Sequence, residues 1–106
     1  MSSKHTIYLS PVAELKLDKL LEYLNSEWGH QSKSNFLKDL DSAIRRIEKF
    51  PESSPKTNLM GGFYKCVISK QTSFYYRIKG LDIEIITLSD NRQNPKELLK
   101  EIKKNR

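Results

Sequence analysis

The apolar residues of this chain change their spacing twice along its length, and those changes limit the folds open to it. In residues 17–28 and 36–50 they recur every three or four positions, which is the period of a helix. In residues 63–89 they alternate or run together, as in strands, and a short alternating segment at residues 4–9 precedes the first helical stretch. The chain is therefore predicted to form one strand, two helices and then three strands.

Local signals indicate where the two helices begin and end. Ser10 is a residue type that caps a first helical turn, and Pro11 fits the first helical position. Gly29 and Pro51 follow the two apolar stripes, where they end a helix. The stripes are made of Leu17, Leu20, Leu21, Leu24 and Trp28, then Phe36, Leu37, Leu40, Ala43, Ile44, Ile47 and Phe50. We predict an antiparallel helical hairpin, with Trp28 packed in its turn.

Three strands are predicted after the loop of residues 51–62, at residues 63–69, 73–79 and 82–89. Their connections are short and the second contains Gly80, so an antiparallel meander is expected. Asn94, Pro95 and Glu97 have the pattern of a capped helix start, which predicts a C-terminal helix. The whole chain, residues 1–106, is then one α+β domain of order βααβββ(α), a helical hairpin packed on an antiparallel sheet.

Charge and cysteine content limit the classes of function. A net charge of +6 and a sequence pI of about 9.5 favour an acidic partner, whether protein or nucleic acid. Cys66 is the single cysteine, expected to pack in the core, and no paired Cys/His spacing is present, so we expect no disulfide, no metal site and no cofactor. No stretch is apolar enough for a signal peptide or a membrane span, so a soluble cytoplasmic protein without a membrane partner is expected.

Three stretches of the sequence together resemble the RelE/ParE toxin superfamily, over nearly the whole chain from Lys4 to Leu98. The first is Glu27-Trp28-Gly29 with the long second helix, which is similar to the ParE-type helical hairpin. The second is residues 63–65 with residues 74–78, similar to the family's basic and tyrosine-rich central strands. The third is residues 85–95, similar to its last strand and the basic segment that follows.

This resemblance implies the toxin of a bacterial type II toxin–antitoxin (plasmid stabilisation) system, and the family holds two activities. RelE-type members cleave messenger RNA on the ribosome with arginine, lysine and tyrosine side chains of the central strands. ParE-type members inhibit DNA gyrase. The residues of this chain that a RelE-like reaction would use as catalytic groups are Lys65, Arg77, Arg92 and Tyr75. Ser69 and Ser73 stand where two RelE arginines are expected, a departure that favours the ParE type.

The leading hypothesis is a gyrase inhibitor that catalyses no reaction, held inactive by an acidic antitoxin. One alternative is an enzyme, a ribosome-dependent messenger RNA endonuclease; another is a non-toxic nucleic-acid-binding module. His5 and His30 lie away from the predicted meander, so neither is expected to act as a general base. The antitoxin is expected to add an amphipathic helix or a strand to the apolar edge of the hairpin and to an exposed strand.

Overall fold

The computed structural model of the protein describes residues 5–57, 61–90 and Lys100. Its elements are β1 (Thr6–Leu9), α1 (Pro11–Tyr23), a π-helical turn (Leu24–Trp28), α2 (His30–Lys49), β2 (Phe63–Val67), β3 (Thr72–Lys79) and β4 (Asp82–Asp90). The predicted α+β class and the order βααβββ are confirmed. The predicted C-terminal helix lies outside the described residues, apart from Lys100, which is helical. None of the described helices is long and apolar enough to cross a membrane.

The four strands form one sheet in the order β1-β4-β3-β2. β2, β3 and β4 make the predicted antiparallel meander, but β1 lies parallel to β4, so the sheet is mixed rather than antiparallel throughout. β1 fills the second edge of β4, and its Ile7 and Leu9 pack against the same core as Ile83 and Ile85. Parallel pairing is possible because a long connection that includes both helices joins the two strands, and not a tight turn. β4 is thus a central strand, with Ile86 and Thr87 also fully buried.

The core lies between the helical hairpin and one face of the sheet. Because side chains alternate along β3, Phe74 and Tyr76 point to the helices while Tyr75 and Arg77 point the other way. The buried residues of the core cluster are Ala13, Phe36, Leu40, Ala43, Ile47, Tyr64, Cys66, Phe74, Tyr76, Ile83, Ile85 and Leu88. The predicted helical stripes therefore do cover one face of the sheet. Tyr75 on the opposite face is also buried, although the hairpin does not lie there.

Ser10 joins the start of α1 to the centre of the sheet. Its Oγ accepts a hydrogen bond from the Ala13 backbone N–H (3.1 Å), which caps the helix as predicted. The same hydroxyl donates to the Ile86 carbonyl at 2.6 Å, and the residue is only 3% exposed. A local helix signal thus also fixes the position of α1 on β4.

Tyr76 fastens the loop after α2 to the sheet. Its ring stacks on that of Tyr64, with centroids 5.2 Å apart, and its hydroxyl donates to the Pro51 carbonyl at 2.6 Å. Burial raises the pKa of Tyr76 above its ordinary value of 10.0, because the phenolate would lose its water there. The neutral form is therefore the one that the fold holds.

Replacing Tyr76 by phenylalanine is expected to lower the free energy of unfolding by about 1 kcal/mol, since the ring stays and one hydrogen bond is lost. It should also alter the response to alkali. The unfolded chain ionises Tyr76 near pH 10 and the folded chain only at a higher pH, so the wild type should lose this stabilisation as the pH rises from about 10 through the folded pKa. Urea unfolding of both proteins between pH 8 and 11 would test this, because the difference between them should shrink above pH 10. A difference that stays constant would contradict the shift.

Candidate functional site

The sheet face that looks away from the helical hairpin, here called the outer face, carries three of the four predicted catalytic residues. Lys65 lies opposite Tyr75 in the β2–β3 register, and Arg77 lies two residues further along β3 on the same face. The structure thus places Lys65, Tyr75 and Arg77 on one surface, and their catalytic role stays a prediction. Arg92 lies outside the described residues.

Arg77 is already occupied by a carboxylate. Its Nε and Nη2 both lie 2.8 Å from Glu84 Oε1, and Lys79 Nζ is 3.6 Å from the same oxygen. On its other side the guanidinium lies over the Phe63 ring, 5.8 Å from the centroid. The side chains of Arg77 and Glu84 are 22% and 14% exposed, so solvent screens this pair only in part.

Tyr75 is buried, with only 4% of its surface exposed. A general acid or base must reach the proton that it transfers, within about 3 Å or through one water. In this conformation the Tyr75 hydroxyl has little room to meet a substrate, whereas Lys65 is half-buried and nearer to solvent. Of the predicted catalytic residues that the structure describes, Lys65 is the partly exposed cation that lies outside the Arg77–Glu84 ion pair.

Glu84 is a residue of this face that the sequence patterns did not single out. The sequence signal for Glu84 is Gly80, a residue type typical of a tight hairpin turn. In the structure Gly80 has a φ of +59°, as such a turn requires. A turn centred on Gly80 and Leu81 pairs Lys79 with Asp82 and, two positions further out, Arg77 with Glu84. The register of a tight hairpin thus predicts the ion pair once the turn is recognised.

Trp28 is 67% exposed, so the prediction that it packs in the hairpin turn is wrong. It closes the π-helical turn, which uses i→i+5 hydrogen bonds and so advances less per residue than an α-helix. The wider turn rotates Trp28 off the apolar stripe of α1. Tyr23, 53% exposed, lies just before the same turn.

These aromatic residues border an open groove of about 760 Å³ between the hairpin and the ends of β3 and β4. We call it the hairpin groove; its apolar lining is Leu20, Tyr23, Leu24, Trp28, Phe36 and Leu88. Lys16 lies on its rim and donates to the Leu88 carbonyl at 3.0 Å. An open groove lined by aromatic and aliphatic side chains is suited to an amphipathic protein segment.

Cys66 is a core residue, as predicted. It is 1% exposed, and its sulfur accepts a hydrogen bond from Arg46 Nη2 at 3.1 Å. Among residues 5–57 and 61–90, no group of three or more histidine, cysteine, aspartate or glutamate side chains is arranged to hold a metal ion.

The chain is similar in sequence to the toxin ParE1 of Caulobacter vibrioides, with 29% identity over 87 residues that cover 81% of this chain and 88% of ParE1. No family model matches the sequence.

Solved structures share the fold at low sequence identity. A structure of a chromosomal ParDE system from P. aeruginosa has a TM-score of 0.69 at 13% identity, covering 82% of this chain and 96% of that one. A YoeB/ParE toxin from Agrobacterium tumefaciens has a TM-score of 0.61 at 14% identity, with 81% and 98% covered. A YoeB dimer from Staphylococcus aureus has a TM-score of 0.57 at 16% identity, with 82% and 97% covered. The helical hairpin on a four-stranded mixed sheet is thus the fold of these ParE and YoeB proteins, and the similarity to ParE1 supports the resemblance to the RelE/ParE toxin superfamily.

Proposed function

We propose that this toxin acts as a ParE-type inhibitor of DNA gyrase, binding its target as a protein and cleaving no RNA. The observation that carries the proposal is the state of the outer face. Arg77 is held by Glu84 at 2.8 Å and Tyr75 is buried, so two of the side chains that a RelE-like reaction would need are engaged in the fold.

A metal-free ribonuclease needs free cationic groups where charge develops on the scissile phosphate. It also needs an acid and a base within reach of the two reacting oxygens. Glu84 would have to leave Arg77 before that arginine could meet a phosphate, and its carboxylate would repel one. Among the described candidates Lys65 remains, and one lysine does not supply all these roles. This arrangement favours binding over catalysis, in agreement with Ser69 and Ser73 at two positions where RelE-type members are expected to carry arginine.

The similarity to a protein named ParE1 supports the same choice between the two activities. The proposal therefore places this chain, residues 1–106, as a single toxin domain in the ParE branch, acting in the cytoplasm where gyrase works.

Two assays on the purified chain distinguish the activities. In the first, gyrase supercoils relaxed plasmid in the presence of increasing toxin; loss of supercoiling or accumulation of cleaved plasmid is expected. In the second, translating ribosomes are incubated with the toxin and the messenger ends are mapped; no new ends are expected. Cuts within translated codons, with supercoiling unaffected, would replace the proposal by the endonuclease function. Nucleic-acid binding without either effect would leave the non-toxic binding module.

In cells the same contrast should appear soon after the chain is expressed without a partner. Growth arrest with broken or relaxed chromosomal DNA and intact messages is expected. New cuts in translated messages with normal DNA topology would contradict it, and so would unimpeded growth.

We further propose that the cognate antitoxin docks in the hairpin groove with an amphipathic segment. The groove offers exposed aromatic residues, Trp28 and Tyr23, and aromatic side chains dominate binding energy at protein interfaces. The net charge of +6 favours an acidic partner for the chain as a whole. The edge strand β1, which is paired with β4 on one side, is the second predicted docking site, for an added strand.

Replacing Trp28 by alanine is therefore expected to weaken antitoxin binding by about 30-fold or more, which corresponds to the ~2 kcal/mol of an interface hot spot. Stability should change by less than about 0.5 kcal/mol because the side chain is largely exposed. Titration calorimetry with the cognate antitoxin would measure the affinity. Phe50→Ala is the matched control, since Phe50 is a 65% exposed aromatic residue outside the groove. Equal affinities for wild type and Trp28→Ala would exclude the groove as the docking site.

A further inference from the structure

The ion-pair cluster on the outer face, made of Glu84, Arg77 and Lys79, has the form of an occupied anion site. Arg77 directs two N–H groups, Nε and Nη2, at Glu84 Oε1. Lys79 Nζ is 3.6 Å from the same oxygen. A guanidinium fork beside an ammonium group is the arrangement that proteins also use to bind a phosphate oxygen. Here the anion is supplied by the neighbouring strand.

Backbone register holds that anion in place. Glu84 stands directly opposite Arg77 in the β3–β4 pair, so the backbone already holds the carboxylate next to the guanidinium. An internal group of this kind has a high effective concentration, and an external phosphate must displace it to bind. Since the two side chains are 22% and 14% exposed, the attraction between them is screened less than that of a surface pair.

The surroundings of the cluster contain the other groups that single-stranded nucleic acid uses. Tyr8, 39% exposed, is the register partner of Glu84 on β1 and so lies on the same face. Lys65 on β2 is on this face too, one pleat from the row that holds Arg77. An exposed aromatic ring for a base and cations for the backbone form the usual platform for a single strand.

We infer that Glu84 is a specificity-determining residue, an internal anion that keeps RNA off the outer face by occupying Arg77 and Lys79. It explains how a chain of net charge +6 is directed to protein targets instead of to nucleic acid. The inference rests on the proposed function, in which the toxin binds a protein and does not act on RNA. Removing the negative charge of Glu84 should convert the cluster into a phosphate-binding site.

The test compares Glu84→Gln with wild type in binding a fluorescein-labelled single-stranded RNA of mixed sequence, followed by anisotropy between 0.05 and ~0.5 M salt. Each phosphate that the variant newly binds should tighten RNA binding about fivefold at ~0.1 M salt and steepen the salt slope by roughly 0.7. One or two such phosphates are expected.

Asp41→Asn is the matched control. It changes the net charge by the same +1, but it breaks an exposed ion pair, Asp41–Arg45 at 3.0 Å on α2. The inference requires that RNA affinity rise in Glu84→Gln and not in Asp41→Asn, and that the rise disappear in the double variant Glu84→Gln/Arg77→Gln. An equal rise in both single variants, or none in a folded Glu84→Gln protein, would overturn it.

Lys79→Gln in the wild-type background gives a second test that does not depend on the folding of the Glu84 variant, because Lys79 is about half exposed. With Glu84 in place this change should leave RNA affinity within about twofold, since a bound phosphate would be worth about fivefold. A fivefold loss would show that Lys79 already binds RNA and would contradict the inference. Gyrase inhibition is measured on the same preparations. If the wild type does not inhibit gyrase, the proposed function is wrong. The role of Glu84 is decided by the comparison of RNA affinities alone.

Discussion

Replacing Phe74 by alanine should lower the free energy of unfolding by about 3–5 kcal/mol, the cost of a large cavity in a close-packed core. Phe74 is fully buried at the centre of β3, between the helical hairpin and the sheet, and its ring contacts that of Tyr76 with centroids 5.8 Å apart. Small domains have only about 5–15 kcal/mol of total stability, so this one change should remove a large share of it. Urea unfolding followed by circular dichroism would measure the loss.

The control for Phe74 is another phenylalanine of the same chain. Phe50 at the end of α2 is 65% exposed, and its replacement by alanine should cost less than about 0.5 kcal/mol. Similar losses for the two variants would mean that the sheet face carrying Phe74 is not the core.

Replacing Ser10 by alanine should cost about 2–4 kcal/mol, more than a helix cap alone. The cap to the Ala13 N–H accounts for about 1 kcal/mol. The hydroxyl also donates to the buried Ile86 carbonyl at 2.6 Å, and leaving that carbonyl without a partner adds a further ~1–3 kcal/mol. Thermal and urea unfolding of the variant would give the combined value.

Ser32→Ala is the control for the loss of a serine hydroxyl. The Ser32 hydroxyl is exposed and donates to the Trp28 carbonyl at 3.3 Å within the helical region, so its loss should change stability by less than about 0.5 kcal/mol. A Ser10→Ala loss of only ~1 kcal/mol would indicate that the bond to Ile86 contributes nothing beyond the cap.

Both large effects bear on function, because the hairpin groove and the outer face are held in position by these contacts. Ser10 sets α1 against β4, and Phe74 sets the hairpin against β3. A toxin that is destabilised by several kcal/mol loses activity through unfolding, so any variant of the site must be compared at equal folded fraction. The Trp28 and Lys79 variants change side chains that are about half exposed or more, where the cost in stability is smaller. Glu84 is only 14% exposed, so its variant needs this comparison most.

The features that the sequence alone determined are those set by near neighbours along the chain. The three- and four-residue spacing of leucine and isoleucine, the capping pair Ser10–Pro11 and the alternation along β3 each depend on a few adjacent residues. They were sufficient to predict the helical hairpin, the antiparallel meander and the buried position of Cys66. The common face of Tyr75 and Arg77 also followed, because alternate residues of a strand share a face, whereas the place of Lys65 beside Tyr75 depends on how β2 pairs with β3.

The tertiary structure decided what depends on residues far apart in the sequence. β1 lies parallel to β4, with Ile7 beside Ile83, and nothing near residue 7 in the sequence indicates this pairing. The π-helical turn rotates Trp28 into solvent, although its spacing from Leu24 places it on the apolar stripe. Glu84 neutralises Arg77 only because the strands pair in that register. Periodicity shows which face of a helix or strand is buried. Only the pairing of distant residues determines which charged side chains on the other face form ion pairs within the protein and which can bind a partner.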